Sequence, residues 1–222
     1  KYAKEYKNYN IIQQIVAKSL VRELKFQPKR ILELGCGSGQ VYTHIFWDLD
    51  FYKAIDFFFF LCELHPKGEN IEVKCFDFDT QEFLDEIKDN SYDIVLSSSA
   101  LQWSKDLSKI IKHLSCITNE INAVLFTSNT FKTIQELTKT KSPILDENSI
   151  KEAFSKYFKC EFETILYKLE FGNKKDLFDY IKKSGVSGEA SLDFKDAKKL
   201  YKEYNLNYLE FEVIFVKTIS KL

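Results

Sequence analysis

The stretch ILELGCGSGQ, residues 31–40, decides the fold. Its first residues, with Arg30, form a short and mostly apolar segment typical of a buried strand, and three glycines follow at G-x-G-x-G spacing. The chain must turn sharply there from strand to helix, and a ligand can lie against backbone that carries no side chain. We therefore predict a strand, a glycine turn and a ligand site in which a side chain at Gly35 or Gly37 would occupy the ligand's volume.

The residues around the glycines narrow the class of ligand. A dinucleotide fingerprint is G-x-G-x-x-G, and this chain has Gln40 where its last glycine would stand. Glu33 lies two residues before the first glycine, where a carboxylate would repel a pyrophosphate and attract the ammonium group of a methionine moiety. An acid followed by G-x-G-x-G resembles motif I of the class I S-adenosylmethionine-dependent methyltransferases. A nicotinamide site and an empty structural turn are the alternatives.

The rest of the chain alternates between two kinds of pattern. Predicted strands end near Asp56, Asp77, Ser97 and Thr127, with helical segments between them, which indicates βαβ units and a parallel sheet. Beyond residue 143 the sequence predicts a helix, a strand over 160–171, Lys-rich helices over 174–183 and 194–204, and a last strand over 208–216. The resemblance implies an α/β, Rossmann-like class I methyltransferase fold, with a mostly parallel seven-stranded sheet, helices on both faces and a C-terminal antiparallel strand.

This pattern indicates one methyltransferase domain over residues 1–222. Residues 1–28 are interpreted as an N-terminal helical cap, ending at Gln27-Pro28, and residues 172–206 as a helical insertion that serves as an acceptor or partner lobe.

Acidic residues follow two further predicted strands. Asp56 lies about 20 residues beyond the glycine turn, where a carboxylate can accept both ribose hydroxyls; the alternative is a helix N-cap. Asp77 and Phe78 resemble the acid that accepts the adenine amino hydrogen and the apolar neighbour that flanks the ring, and Asp79 is a competing candidate. The resemblance implies these further cofactor contacts: Gly35, Cys36, Gly37, Gly39, Gln40, Ser97 and Gln13.

The segment SSSALQW, residues 97–103, follows the fourth predicted strand. Enzymes that methylate nucleobase amino groups carry [N/D]-P-P-[Y/F] there, and its absence argues against that activity. Methyl transfer from a sulfonium mainly needs alignment and exclusion of water. A carboxylate acceptor is already ionised near neutral pH and needs no general base. This fits the histidines, because His44 is assigned to packing on a first crossover helix and His65 to a loop.

Several segments resemble the malonyl-acyl-carrier-protein O-methyltransferases of biotin synthesis. They are Tyr6 with Gln13 seven residues later, and residues 99–103, 181–188 and 209–215. The resemblance implies that the free carboxylate of a malonyl thioester, on acyl carrier protein or coenzyme A, is methylated, leaving S-adenosyl-L-homocysteine. The candidate catalytic residues, acting by alignment only, are Tyr6, Gln102 and Trp103. Tyr6 and Gln13 are interpreted as a lid over the cofactor; the alternative is that Tyr6 is a surface aromatic residue.

The charge balance bears on the partner. Thirty-two basic residues nearly cancel 33 acidic ones, and a net charge of −1 argues against a nucleic-acid partner. An acidic carrier protein could dock on basic residues of the insertion by charge complementarity, or these residues are merely a solvated face. They are Lys174, Lys175, Lys182, Lys183, Lys195, Lys198 and Lys199.

The remaining composition excludes several classes of protein. The five cysteines contain no C-x-x-C pair, and with three histidines there is no metal framework, which is typical of free thiols in a cytoplasmic protein. No apolar run reaches the roughly 20 residues that a membrane span needs. Two rival functions stay open: another small-molecule O- or C-methyltransferase acting on a free acid or quinone precursor, and a non-catalytic scaffold. The acids Glu33, Asp56 and Asp77 count against a scaffold.

Overall fold

The computed structural model describes residues 10–88, 90–183 and 194–222, without the side chains of 182, 183 and 194–197. The strands are β1 Arg30–Leu34, β2 Phe51–Asp56, β3 Ile71–Cys75, β4 Ile94–Ser98, β5 Ile121–Phe126, β6 Phe158–Glu170 and β7 Tyr208–Lys221. They form one seven-stranded sheet in the order β3-β2-β1-β4-β5-β7-β6. The first five strands run parallel, and β7 is antiparallel to both β5 and β6. The predicted mostly parallel sheet with a C-terminal antiparallel strand is confirmed.

The strand order contains a switch point between β1 and β4. The chain leaves β1 toward β2 and β3 on one side, then returns to β4 and β5 on the other side. Crossovers on opposite sides diverge at that point, so a crevice opens beyond the carboxyl ends of the two strands. Leu34 pairs with Ser97 at these ends. The glycine turn and the segment after β4 therefore border the same crevice.

Helices cover both faces of the sheet. Their bounds are α1 Ile11–Arg22, α2 Phe59–Leu64, α3 Gln81–Ile87, α4 Leu107–Ile117, α5 Lys132–Thr138, α6 Glu147–Ser155, α7 Lys174–Lys183 and α8 Phe194–Glu203. One core layer contains buried residues of α1, α5, α7 and α8, and the other contains those of α3, α4 and α6. Ile31 belongs to the first layer and Leu32 to the second. Because side chains alternate along a strand, Glu33 points into the first layer.

Side-chain oxygens cap the first turns of several helices, α3, α4 and α6 among them. Thr80 accepts a hydrogen bond from the backbone N–H of Phe83 at the start of α3, and Asp106 does the same for Lys109 at the start of α4. Asp146 begins α6 by accepting from the N–H of Ser149. Each contact satisfies an N–H that has no partner within its helix. Local sequence therefore determines where these helices start.

The first crossover differs from the prediction. A 3-10 turn over Tyr42–His44 stands where a helix was expected, so the assignment of His44 to a crossover helix is wrong. Trp47 donates its indole N–H to the carbonyl of Pro28 at 2.8 Å, and Ile45 packs against the core. Because the short segment between β1 and β2 makes these contacts, too few of its residues remain to form a full helix. Helix α1 also ends at Arg22, before the expected Gln27-Pro28.

The insertion joins β6 to β7 and packs on the first core layer. Leu177 and Tyr180 of α7, Leu200 of α8 and Tyr204, which follows α8, are buried in the same cluster as the apolar face of α1. Part of the family resemblance, residues 184–188, lies outside the described residues. Within the described ranges, none of the helices has the length and apolar character that a bilayer-spanning helix requires.

Candidate active site

The glycine turn has a backbone that other residues rarely adopt. The φ angles of Gly35, Gly37 and Gly39 are +74°, +52° and +90°, in the left-handed region where a Cβ costs roughly 1–2 kcal/mol. The N–H groups of Gly35 and Cys36 both donate to the carbonyl of Ile55, at 2.7 and 3.1 Å. The turn is thereby tied to the end of β2, next to Asp56.

The three glycines meet different surroundings. A Cβ on Gly35 would lie 2.0 Å from the Cβ of Ala100, and a Cβ on Gly39 would lie 2.5 Å from Cδ of Pro66. A Cβ on Gly37 would meet nothing within 4 Å. The expectation that Gly35 leaves room for a ligand is therefore wrong, because protein fills that space. Open volume lies over Gly37, where a ligand could contact bare backbone.

Asp56 organises the turn. Its Oδ2 accepts the N–H of Gly37 and its Oδ1 accepts the N–H of Phe58, both at 2.8 Å. Burial raises the pKa of Asp56, while the N–H groups of Phe58 and Gly37 act to lower it. The N-cap residue of α2 is Phe58, so the alternative of a simple helix cap does not describe Asp56. A carboxylate held this way stands beside the open volume at Gly37.

Glu33 lies in a polar cluster that the sequence did not reveal. The Tyr52 hydroxyl donates to its Oε2, and Nε2 of His65 lies 3.9 Å from the same oxygen. Burial raises the pKa of Glu33, and the contacts with His65 and Tyr52 oppose that rise. His65 lies in a bend after α2, as the sequence predicted, but it is only 2% exposed and its side chain turns inward to Glu33. Tyr52 pairs with Ile31 in the sheet register, which places it on the same face as Glu33.

The segment after β4 contains a residue with a strained backbone, Ser99, and a partly exposed aromatic ring, that of Trp103. The Ser97 hydroxyl is buried and donates to the carbonyl of Leu34 at 2.9 Å, so it joins β4 to β1. Ser99 has a φ of +61°, a conformation that non-glycine residues keep only where the surroundings impose it. Gln102 donates its amide N–H to Ser99 at 2.8 Å, and within the described ranges its buried Oε1 has no hydrogen-bond partner. Trp103 remains 40% exposed.

The acids after β3 have different partners. Asp79 accepts the backbone N–H of Lys105 with both oxygens, at 3.1 and 3.0 Å, and so braces the loop before α4. Among the described residues, the Asp77 carboxylate accepts a hydrogen bond only from the N–H of Asp79, at 2.9 Å, with Oδ1. Phe78 lines a cavity of about 220 Å³ next to Leu84. Asp77 is therefore the acid with more capacity left for a ligand.

The other candidate residues are distributed as follows. Gln13 is buried in α1, and its Oε1 has no hydrogen-bond partner in the described part of the chain. The Cys36 thiol is buried against the carbonyl of Gly37, and Gln40 is half-buried. Tyr6 lies outside the described residues. No group of His, Cys, Asp and Glu among the residues covered by the structure could hold a metal ion.

Replacing Glu33 by glutamine is expected to stabilise the unliganded protein. A carboxyl whose folded-state pKa is raised contributes stability below its ordinary value of 4.5, and that contribution is lost as pH rises through the folded-state value. Glutamine keeps an acceptor for Tyr52 without the buried charge. We expect Glu33→Gln to raise the free energy of unfolding by roughly 0.5–2 kcal/mol near neutral pH, with no gain at acidic pH, in urea titrations. Glu63→Gln, at an exposed position, is the control, and an equal gain at both pH values would contradict the explanation.

Strand order and turn together define the class of protein. A parallel sheet with this switch point, an acid before the glycine turn and a second acid at the end of β2 constitute the class I methyltransferase fold. Residues 32–119, which span β1 through α4, match the family described as "Methyltransferase domain".

Curated relatives agree with this class. The chain is 26% identical over 229 residues to a protein of Bacillus cytotoxicus named malonyl-[acyl-carrier protein] O-methyltransferase, a match covering 90% of this chain and 78% of that protein. A protein of the same name from Bacillus cereus is 26% identical, over 69% of this chain and 59% of its own length.

Solved structures share the fold. The YcgJ protein of Bacillus subtilis superimposes with a TM-score of 0.66 at 11% identity, covering 94% of this chain and 99% of its own. The plantazolicin methyltransferase BpumL, determined in complex with a desmethyl-plantazolicin analogue and SAH, gives a TM-score of 0.52 at 12% identity, over 99% of this chain and 90% of its own. The chain is an S-adenosylmethionine-dependent methyltransferase.

Proposed function

We propose that this enzyme esterifies the free carboxylate of a malonyl group carried as a thioester on acyl carrier protein, a reaction that serves biotin precursor synthesis. The observation that carries the proposal is the extent of the match to a malonyl-[acyl-carrier protein] O-methyltransferase. It covers 90% of this chain, well beyond the cofactor-binding residues 32–119. The similarity therefore extends into the insertion, beyond the matched domain.

In this proposal, three carboxylates bind S-adenosylmethionine. Glu33 receives the ammonium group of the methionine moiety, Asp56 accepts the ribose hydroxyls beside Gly37, and Asp77 accepts the adenine amino group with Phe78 against the ring. The open volume over Gly37 supports this assignment, because a Cβ there would project into the space that a ligand needs. The burial of Glu33 and Asp56 also supports it, since a cationic ligand stabilises carboxylates that burial alone disfavours.

Transfer of the methyl group to the malonyl carboxylate requires alignment of the two reactants more than acid–base catalysis. When bound, S-adenosylmethionine supplies a methyl group on a sulfonium centre, which leaves as a neutral thioether. An ionised malonyl carboxylate needs no base, so the protein has to hold the two reactants in line and exclude water. Gln102 and Trp103 stand beside the glycine turn through the contact of Ala100 with Gly35. We assign them to positioning of the acceptor, with Tyr6 and Gln13 as further candidates.

Docking of an acidic carrier would use the insertion. Lys175, Lys198 and Lys199 are exposed, although Lys199 lies 3.9 Å from Glu203. Lys174 is less suited to docking, since its ammonium donates to the carbonyl of Tyr201 at 3.0 Å and so joins α7 to α8. The side chains of Lys182, Lys183 and Lys195 lie outside the described residues. Exposed lysines on neighbouring helices favour an acidic partner by charge complementarity.

A methyl-transfer assay tests the proposal. Radiolabelled S-adenosylmethionine is supplied with malonyl-acyl carrier protein, malonyl-coenzyme A or free malonate, and the methyl ester is identified by mass spectrometry. We expect ester on the carrier-bound substrate and less or none on free malonate. Ester on neither thioester, or turnover of a free acid alone, would remove the malonyl assignment and favour another small-molecule methyltransferase. The variant Lys175→Glu/Lys198→Glu serves as the docking control: KM should rise for the carrier-bound substrate and stay unchanged for malonyl-coenzyme A.

A further inference from the structure

The imidazole of His65 is enclosed next to the methionine end of the proposed cofactor site. Its side chain is buried directly after α2, with ring centroids 5.6 Å from Tyr42 and 6.0 Å from Tyr52. The same residue limits the space behind Gly39, where an added Cβ would lie 3.2 Å from the imidazole Cδ2. The ring therefore has a defined position and cannot easily turn away from Glu33.

The contacts of the ring determine where its protons can be. Nδ1 lies 2.8 Å from the carbonyl oxygen of Pro66, and because a carbonyl can only accept, Nδ1 carries a hydrogen. In a neutral imidazole Nε2 is then a lone pair, and it faces the Glu33 carboxylate at 3.9 Å. Two acceptors facing each other in a buried site repel. A proton on either Nε2 or the carboxyl group removes that repulsion.

The surroundings favour keeping that proton. Burial disfavours the charged form of Glu33 and Asp56 of β2 adds a second negative charge, which together oppose the effect of the Tyr52 hydroxyl that donates to Oε2. From the glycine turn, the Cys36 thiol has a raised pKa, caused first by its hydrogen bond with Cys62, then by burial and by the Glu33 charge. Within the described ranges, His65 is the one basic side chain that reaches ion-pair distance of Glu33. A buried carboxylate that has a single basic neighbour and a second acid nearby holds a proton more firmly than it would in water.

We infer that Glu33 and His65 share one buried proton in the unliganded protein, and that binding of the cofactor's ammonium group at Glu33 expels this proton to solvent. The second half rests on the proposed role of Glu33 in cofactor binding. Before binding, the shared proton offsets the carboxylate charge; after binding, the ligand cation does so. Two cations beside one buried carboxylate repel strongly in a low-dielectric site, so the proton leaves. His65 is thus a positioning residue, which keeps Glu33 ready for a cation.

Calorimetry of S-adenosylhomocysteine binding tests the inference without measuring catalysis. Titrations near neutral pH in buffers of different ionisation enthalpy report how many protons are released. We expect about one proton per ligand bound, and an affinity that rises up to about tenfold per pH unit while the pair holds its proton. His65→Gln should still bind the ligand but release no proton, since an amide can donate to Glu33 without titrating. His113→Gln is the matched control, because His113 also places Nδ1 2.8 Å from a carbonyl, that of Lys109.

The possible results separate the inference from the proposed function. If the wild-type chain does not bind S-adenosylhomocysteine, the role of Glu33 in cofactor binding fails together with the expulsion step. If it binds without proton release, or if His65→Gln releases as many protons as the wild type, the inference alone is overturned. ¹⁵N NMR of the His65 imidazole in the unliganded wild type tests the shared proton directly and does not depend on the variant folding. A neutral ring whose Nε2 signal is unchanged by Glu33→Gln would refute the shared proton.

Discussion

Gly35→Ala is expected to lower the free energy of unfolding by roughly 2–5 kcal/mol, from left-handed backbone strain together with overpacking. The φ of +74° disfavours any side chain, and the new Cβ would come within 2.0 Å of the Cβ of Ala100. Neither atom is at the flexible end of a side chain, so the clash can be relieved only by moving the glycine turn away from the segment after β4. Urea denaturation followed by tryptophan fluorescence measures the loss, which should be accompanied by lost S-adenosylhomocysteine binding.

Gly37→Ala provides the comparison, because it adds the same atom two residues away. Its φ of +52° carries a similar strain, but the new Cβ meets nothing within 4 Å. We expect it to lower the free energy of unfolding by only about 1–2 kcal/mol, while it weakens cofactor binding by projecting into the ligand's volume. If both variants lost stability equally, or if Gly37→Ala bound S-adenosylhomocysteine as the wild type does, the distinction between a packing glycine and a ligand-facing glycine would be wrong.

Asp56→Asn is expected to reduce the affinity for S-adenosylhomocysteine by about 100- to 1,000-fold, because hydrogen bonds to a charged group are worth roughly 1.5–3 kcal/mol each. Two effects combine. The ribose hydroxyls would lose the proposed carboxylate acceptor. In addition, the N–H groups of Gly37 and Phe58 each occupy one carboxylate oxygen, and asparagine offers only one acceptor oxygen. The amide NH₂ would face an N–H donor and push the glycine turn out of position.

The control for this substitution is Asp50→Asn, an exposed residue directly before β2. It removes the same charge at the opposite end of the same strand, without touching the turn. We expect its calorimetric affinity for S-adenosylhomocysteine to match that of the wild type. Asp56→Asn with unchanged affinity would show that the ribose is held elsewhere. An equal loss in both variants would instead indicate a long-range effect of net charge.

Local sequence determined most of the architecture. Apolar runs of strand length, helical periodicity and capping residues such as Thr80 and Asp146 are properties of short segments, so they could be recognised without tertiary contacts. The expected order of strands and helices, the glycine turn, and the positions of Glu33 and Asp56 at the carboxyl ends of strands all follow from such segments. The prediction of a helix in the first crossover, between β1 and β2, was wrong because the conformation of this segment depends on a distant contact, that of Trp47 with Pro28.

Sequence alone thus specified a methyltransferase fold and the acids that border its crevice, since strand-to-turn patterns lie within a few consecutive residues. Tertiary structure alone decided which of those groups meet. Gly35 packs on Ala100 across 65 positions, Ser97 joins Leu34, and Tyr52 and His65 surround Glu33. These pairings depend on the register between strands and on the path of α2, and neither is encoded by the spacing of residues along one segment. The polar surroundings of Glu33 are therefore a property of the folded chain.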